Sequence, residues 1–386
     1  MKVTAAVVNG EKRDFELEEI ELDAPKDNEV LIKLVATGVC HTDVAGQDGL
    51  TTPMPVVLGH EGAGIVEQVG AAVSSVKPGD KVILSFSYCG KCRNCLEGHP
   101  GMCEKFNDLN FAGPNFDGTH RMHKDRHDLS LFFGQSSFVT YTVVDEHNIV
   151  KVPDDADVDL AYLGPLGCGL QTGSGSVLNY LKPEPGATIA IFGMGPVGLS
   201  AVMGAKIAEA SRILVFDLND QRLAMAKELG ATDVFNSKDI DVEATVKELI
   251  LGGIDYSLDT TGNGFVIKNA IHILRPAGTC VLIGIGGDIQ INVMNDLLAE
   301  SKKLVGVVEG DSIPQEYIPK LIKYYQDGKF PLDKLIKVYD FQDINQAFAD
   351  FKAGKVFSDP ASSTGRIAKL GRGLVPWHRS SPVLRY

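Results

Sequence analysis

The sequence predicts a two-part α/β protein, with a β-rich first part followed by a doubly wound parallel sheet. Three observations lead there. Up to about Pro153 the chain is a succession of short β-branched runs, EVLIKLVATGVC, GAGIVEQVG, DKVILSFS and FVTYTVVD, broken by Gly, Pro and Asp turns. Beyond Ala187, apolar strand-like runs alternate with helical periodicity, as in βαβ units. At 386 residues the chain is also too long for one ordinary core.

Composition removes several functions. A formal charge of -13 argues against nucleic-acid and anionic-membrane partners, which need a basic face. No apolar run approaches the roughly 18 residues of a membrane span. The opening MKVTAAVVNGEKRDFELEEI lacks the apolar centre of a signal peptide and reads as two strands around an Asn9-Gly10 turn. A cytoplasmic protein is expected, and in a reducing compartment its seven cysteines point to metal ligation before disulfides.

The first candidate ligands follow the third run. Cys40-His41-Thr42-Asp43 and Gly59-His60-Glu61 put a thiol, two imidazoles and carboxylates into a short span. Cys and His are the preferred donors of zinc, and three protein ligands leave one position for chemistry. Glycines at 59, 62, 64, 70 and 79 suit a tightly turning, barrel-like sheet around them.

CGKCRNCLEGHPGMC comes next. Cys89, Cys92 and Cys95 are three apart, and Cys103 follows eight later. Four thiolates so close can surround one zinc with no open position, which makes a structural site. An iron–sulfur cluster is the competitor, but its usual spacings differ. The stretch from about Glu104 to Ser137 has little periodicity and reads as a long ordered loop. His120, His123 and His127 lie there among Lys and Arg, which favours a surface role over metal binding. LGPLGCGLQTGSGSVLNYL then turns helical, with Cys168 at its start as the candidate third ligand.

The strand Thr188 to Phe192 meets Gly193-Met194-Gly195-Pro196-Val197-Gly198, a helix, and a second strand ending at Asp217, nineteen residues past Gly198. A GxGxxG pattern in this context is a dinucleotide-binding (Rossmann) turn, with the pyrophosphate at the helix N-terminus. Asp217 suits the ribose hydroxyls and repels a 2'-phosphate, so NAD is favoured over NADP. Arg222 either reaches the same end or is a plain solvated helix residue. DVFN, IDYSLDTT, GTCVLIGIG and KLVGVV continue the strands, making about six, with DVEATVKELILGG and GFVIKNAIHILRPAG as helices. Cys280 reads as core. From about Asp311 the chain returns to mixed structure that completes the first part. GRGLVPWHRSSPVLRY shows no periodicity and is expected to lie outside the fold.

A zinc with an open position is a Lewis acid for an alcohol oxygen, and a nicotinamide accepts the hydride. Thr42 is placed to relay the proton, Asp43 to hold the far nitrogen of His60, and His41 to meet a phosphate.

Over about residues 1 to 370 the chain resembles the zinc-dependent medium-chain alcohol dehydrogenases. The matching residues are Cys40 to Asp43, Gly59-His60-Glu61, the four-cysteine lobe, Leu166-Gly167-Cys168-Gly169, the Gly193 to Gly198 turn and Asp217. The resemblance implies a GroES-like catalytic domain at 1–169, a Rossmann domain at 170–308 and a return at 309–370, with 371–386 as a tail. It implies catalytic zinc on Cys40, His60 and Cys168, a relay hydroxyl on Thr42, and in Glu61 a carboxylate that assists ligand exchange. Thr172 and Val197 match positions at the nicotinamide, and Arg366 a pyrophosphate contact. Two zincs per chain, NAD, a small alcohol or aldehyde substrate and a homo-oligomer, dimer or tetramer, are expected.

One position departs from that pattern. Many relatives carry a histidine three residues after the relay hydroxyl, where this chain has Ala45. That change and VVEGDSIPQEYIPKL are similar to bacterial aryl-alcohol (benzyl-alcohol) dehydrogenases, so a primary benzyl-type alcohol is the expected substrate. An S-hydroxymethylglutathione (formaldehyde) dehydrogenase, with His120 to Arg126 as its basic residues, and a general aliphatic alcohol dehydrogenase are the alternatives. A polyol or threonine dehydrogenase would carry an acid in place of Cys168. A non-enzymatic NAD-binding protein would tolerate loss of Cys40, His60 or Cys168, and all three are present.

Overall fold

A computed structural model describes residues 1–355 and 381–386. The β-rich part holds two sheets. The smaller orders its strands Val56–Val57, Lys2–Val8, Glu16–Leu22, Met122–Lys124 and His127–Asp128. The larger runs Ile149–Lys151, Lys81–Leu84, Gly62–Val69, Glu29–Gly38, Ser381–Arg385 and Ile336–Asp340, with Tyr141–Asp145 also paired to Glu29–Gly38. Side chains from both sheets and the segments beside them, among them Val7, Ile32, Leu58, Leu84, Phe86 and Phe138, fill one core and are fully buried.

The ten-residue strand Glu29–Gly38 is the spine of this part. One edge pairs throughout with Gly62–Val69. The other edge is shared: Glu29 to Lys33 pair with Tyr141–Asp145, and Ala36 to Gly38 with Ser381–Arg385. The strand delivers the chain to Cys40, two residues past its end.

Two expectations need correction here. Of the expected tail, 371–380 lie outside the described residues, but Ser381–Arg385 does not lie outside the fold: it is an inner strand, antiparallel to Glu29–Gly38 and parallel to Ile336–Asp340. Its two apolar residues explain this. Val383 and Leu384 point to opposite faces, one into each of two cores, and both are fully buried. Five residues are too few for a visible period. The stretch after Glu104 is likewise more regular than a loop, with a helix at Phe106–Phe111 and the strands Met122–Lys124 and His127–Asp128. Aromatic packing fixes it: the Phe106, Phe111, Phe132 and Phe133 rings lie 5.0 to 6.4 Å apart.

The third sheet is wholly parallel and ordered Asp233–Asn236, Arg212–Asp217, Thr188–Phe192, Ile254–Asp259, Leu274–Leu282, Lys303–Gly306. The helices Asp220–Leu229, Val242–Leu249 and Gly264–His272 start at Asn219, Asp241 and Asn263, whose side chains accept from backbone N–H groups. Strand order reverses beside Thr188–Phe192, and a crevice at the carboxyl end of such a strand is where open α/β sheets bind ligands. No helix among the described residues is long and apolar enough to cross a membrane.

Leu384→Ala tests the C-terminal strand. Truncating a fully buried leucine costs about 2–5 kcal/mol, so the first urea-unfolding transition should move to clearly lower denaturant; an unchanged midpoint would contradict the strand's place in the core.

Candidate metal and cofactor site

Cys40 precedes the helix His41–Gln47 and donates its backbone N–H to Asp43 Oδ2 at 2.9 Å. The other carboxylate oxygen, Oδ1, accepts from the Gly59 N–H at 3.0 Å and from His60 Nδ1 at 2.9 Å. One carboxylate thereby ties the Cys40 helix to the His60 strand end. Gly59 has φ of 92°, and a Cβ there would lie 2.6 Å from the Phe138 nitrogen, so the turn requires glycine. The His60 ring stacks on Phe133 at 4.5 Å and meets Phe132 edge-on at 5.5 Å.

Donation from Nδ1 to Asp43 leaves a lone pair on Nε2. That atom is buried and has no hydrogen-bond partner among the described residues. Cys168 arrives at the start of the helix Gly169–Gly175. Cys40, His60, Glu61 and Cys168 each offer one atom to a cluster in which all four lie within 4.8 Å of one another. Two thiols, an orphaned imidazole nitrogen and a carboxylate around one point fit a borderline divalent cation such as zinc. Burial, with the neighbouring Cys40, pushes the Glu61 carboxyl up to about 8. Its Oε1 accepts from the Gly169 N–H at 3.2 Å.

Thr42 Oγ1 lies 3.8 Å from Cys40 Sγ. His41 faces away, its exposed ring 4.7 Å from that of Phe351.

The four-cysteine lobe is a separate cluster. Cys89, Cys92, Cys95 and Cys103 are free thiols with sulfurs within 4.8 Å of one another, including pairs at 3.4 and 4.0 Å. A tetrahedral zinc with Zn–S of about 2.3 Å sets its sulfurs about 3.8 Å apart. The N–H groups of Cys89, Cys92 and Lys105 already point at sulfurs, at 3.3 to 3.4 Å. Backbone N–H groups of Glu104 and then Cys95 hold the Cys92 thiol down at about 6, toward the thiolate a metal needs.

On the parallel sheet, Gly193 has φ of 87°, and a Cβ at Gly198 would lie 1.8 Å from the Gly193 carbonyl oxygen. A Cβ at Gly195 would meet nothing within 4 Å, so the space beside the turn is open to a phosphate. Pro196 and Val197 open the helix Pro196–Ile207. A Cβ at Gly169, next to Cys168, would lie 3.7 Å from Val197 Cγ2, which brings the dinucleotide turn against the thiol cluster. Asp217 Oδ2 accepts from the Met194 N–H at 2.6 Å and Oδ1 from the Asn219 N–H at 2.8 Å, fixing the carboxylate at the strand's end. Arg222 sits in the first turn of the next helix. Arg366 lies outside the described residues.

Sequence reasoning missed Glu309. It is buried beside Cys168, with Oε1 3.8 Å from that sulfur and Oε2 accepting from Gln171 Nε2 at 3.2 Å and Thr172 Oγ1 at 3.3 Å. Burial pushes its carboxyl up to about 7. The available signal was an acid inside an apolar strand end, GVVEGDS. Among the described residues, His120, His123 and His127 join no metal cluster: His123 sits between Asp23 and Asp128, and His120 meets the Leu129 carbonyl.

The chain is similar to known dehydrogenases. The model of an alcohol dehydrogenase GroES-like domain matches residues 26–154, and that of a zinc-binding dehydrogenase matches 196–327. A geraniol dehydrogenase from Castellaniella defragrans is 44% identical over 356 residues, 91% of this chain and 95% of that protein. The crystal structure of an alcohol dehydrogenase zinc-binding domain protein from Burkholderia ambifaria has a TM-score of 0.89 at 41% identity, covering 100% of this chain and 99% of the other. A benzyl alcohol dehydrogenase from Acinetobacter calcoaceticus has the same TM-score and coverage at 40% identity.

Proposed function

Because the chain belongs to the zinc-dependent medium-chain alcohol dehydrogenases, we propose that it oxidises a primary, benzyl-type alcohol to the aldehyde, reversibly, with NAD as hydride acceptor. The observation that carries the reaction is the buried, unpartnered His60 Nε2, held by Asp43 and gathered with two thiols beside a dinucleotide turn. A benzyl alcohol dehydrogenase at 40% identity over the whole chain supports the aromatic substrate. The geraniol dehydrogenase at 44% identity favours a second reading, an allylic terpene alcohol.

When bound, zinc supplies a Lewis acid for the substrate oxygen and NAD a hydride acceptor. Cys40, His60 and Cys168 would hold the catalytic zinc, and Cys89, Cys92, Cys95 and Cys103 a second, structural one. Asp43 keeps the His60 ring turned with Nε2 inward. Thr42 Oγ1 takes the hydroxyl proton and passes it outward. Ala45 carries no titratable group, so the path from Thr42 ends in water or in another base. Glu61 stands ready to exchange with a ligand. Thr172 and Val197 would meet the nicotinamide, and the backbone from Gly193 through Gly195 and Pro196 to Gly198 would receive the pyrophosphate, with His41 and Arg366. Asp217, with Arg222 nearby, receives the adenosine ribose.

Residues 1–169 and the return from 309, continued by the last strand, form the catalytic domain around a cofactor domain at 170–308. The enzyme works in the cytoplasm as a homo-oligomer, a reading supported by the exposed apolar Ile285, Val293, Met294 and Leu298 leading to the edge strand Lys303–Gly306.

The anionic glutathione adduct is disfavoured by the pairing of three of the cations it would need. Arg121 is bound by Glu29 at 2.6 Å and Asp117 at 2.9 Å, Lys124 by Glu18, and His123 by Asp23 and Asp128.

Initial rates with NAD should give benzyl alcohol or geraniol a kcat/KM at least about tenfold above ethanol and S-hydroxymethylglutathione. A preference for ethanol or for the glutathione adduct would overturn the substrate class. Asp217→Ala should cut the NAD over NADP preference by roughly tenfold or more, and an unchanged ratio of the two kcat/KM values would remove its role.

A further inference from the structure

The turn Glu309–Asp311 has three consecutive residues with left-handed backbone, at φ of 49°, 64° and 49°. Two of them are not glycine, and such residues keep this conformation only where their surroundings fix it. The surroundings here come from two directions.

On one side is the four-cysteine lobe. His99, four residues before Cys103, donates from Nδ1 to Asp311 Oδ1 at 2.7 Å, and the Asp311 side chain is 8% exposed. Gly101 lets the lobe approach closely, since a Cβ there would lie 2.8 Å from the Val308 carbonyl oxygen. On the other side is the helix Gly169–Gly175. A Cβ at Gly175 would lie 2.6 Å from the Gly310 carbonyl oxygen, and one at Gly310 would lie 2.4 Å from the Gln171 carbonyl oxygen. Asn179 Nδ2 donates to the Gly310 carbonyl at 3.3 Å. The turn is therefore clamped between the lobe and the helix that follows Cys168.

At the far end of the turn, Glu309 fixes two side chains of that helix, Gln171 and Thr172. Gln171 in turn holds the Gly167 carbonyl at 2.6 Å, one residue before Cys168. Thr172 also binds the Cys168 carbonyl at 2.8 Å. The contacts form an unbroken chain from His99 to Cys168.

We propose that this turn is a brace through which the four-cysteine lobe positions the cofactor-facing wall of the catalytic site, with His99, Asp311 and Glu309 as its positioning residues. The lobe is then more than a local staple. It sets the Thr172 hydroxyl against the space the nicotinamide fills, an inference that rests on the reading of Thr172 given above.

The test is equilibrium NADH binding, followed by nicotinamide fluorescence, on the zinc-loaded full chain. Glu309→Ala and Asp311→Ala should each raise the NADH dissociation constant about tenfold, within the usual range of coupling between sites. Asp311→Asn keeps an acceptor for His99 and should stay within about twofold of the parent. Thr172→Val, titrated alongside, separates the two ideas. If it weakens binding but neither alanine variant does, the brace is wrong and the cofactor contact stands. If the alanine variants weaken binding and Thr172→Val does not, the brace stands and the Thr172 contact falls. If none moves the constant, both fall. Equal loss in Asp311→Asn and Asp311→Ala would also overturn the brace, since a retained acceptor should rescue.

Discussion

One buried carboxylate keeps the catalytic cluster in register. Asp43 is fully buried, and its two oxygens accept from three groups: the Cys40 N–H, the Gly59 N–H and His60 Nδ1. Hydrogen bonds to a charged group contribute about 1.5–3 kcal/mol each, and a buried charge left without them is costly. The same contacts that offset its desolvation also define the site. Nδ1 is committed, Nε2 is turned toward the thiols, and the backbone of Cys40 is fixed beside it. A ligand set assembled before any cation arrives loses less freedom on binding one.

The three sheets supply the rest by placing chain ends. The long strand Glu29–Gly38 delivers Cys40, and the reversal of strand order beside Thr188–Phe192 opens the dinucleotide crevice. Close approach of Gly169 to Val197 brings the two together without an intervening layer. The four-cysteine lobe stands apart from both in sequence, yet His99 and Gly101 put it in contact with the turn that carries Glu309 to Cys168.

Much of this was legible in the sequence because chemistry and local geometry coincide there. The cysteine spacing, the GxGxxG turn with its following acid, and the β/α alternation each act over short segments. Cys40 and His60 share one short span, and Cys168, far along the chain, was singled out by residue type and by its place at the start of a helical stretch. What stayed hidden depends on long-range contact. Glu309 reads as an acid after a strand, and only the packing of its turn on Gln171 and Thr172 brings it to the site. The strand Ser381–Arg385 is too short to show a period, and its partner strands fix it. The helix Phe106–Phe111 is similarly held by aromatic packing instead of by amphipathic spacing.

On the proposed reading, Cys168 closes a catalytic metal site distinct from the lobe. Elemental analysis of the purified parent and of Cys168→Ala measures this directly. Two zincs per chain are predicted for the parent and one for the variant, with far-UV circular dichroism unchanged and alcohol oxidation lowered by at least about a hundredfold. Two zincs in the variant, or oxidation at the parent rate, would contradict it.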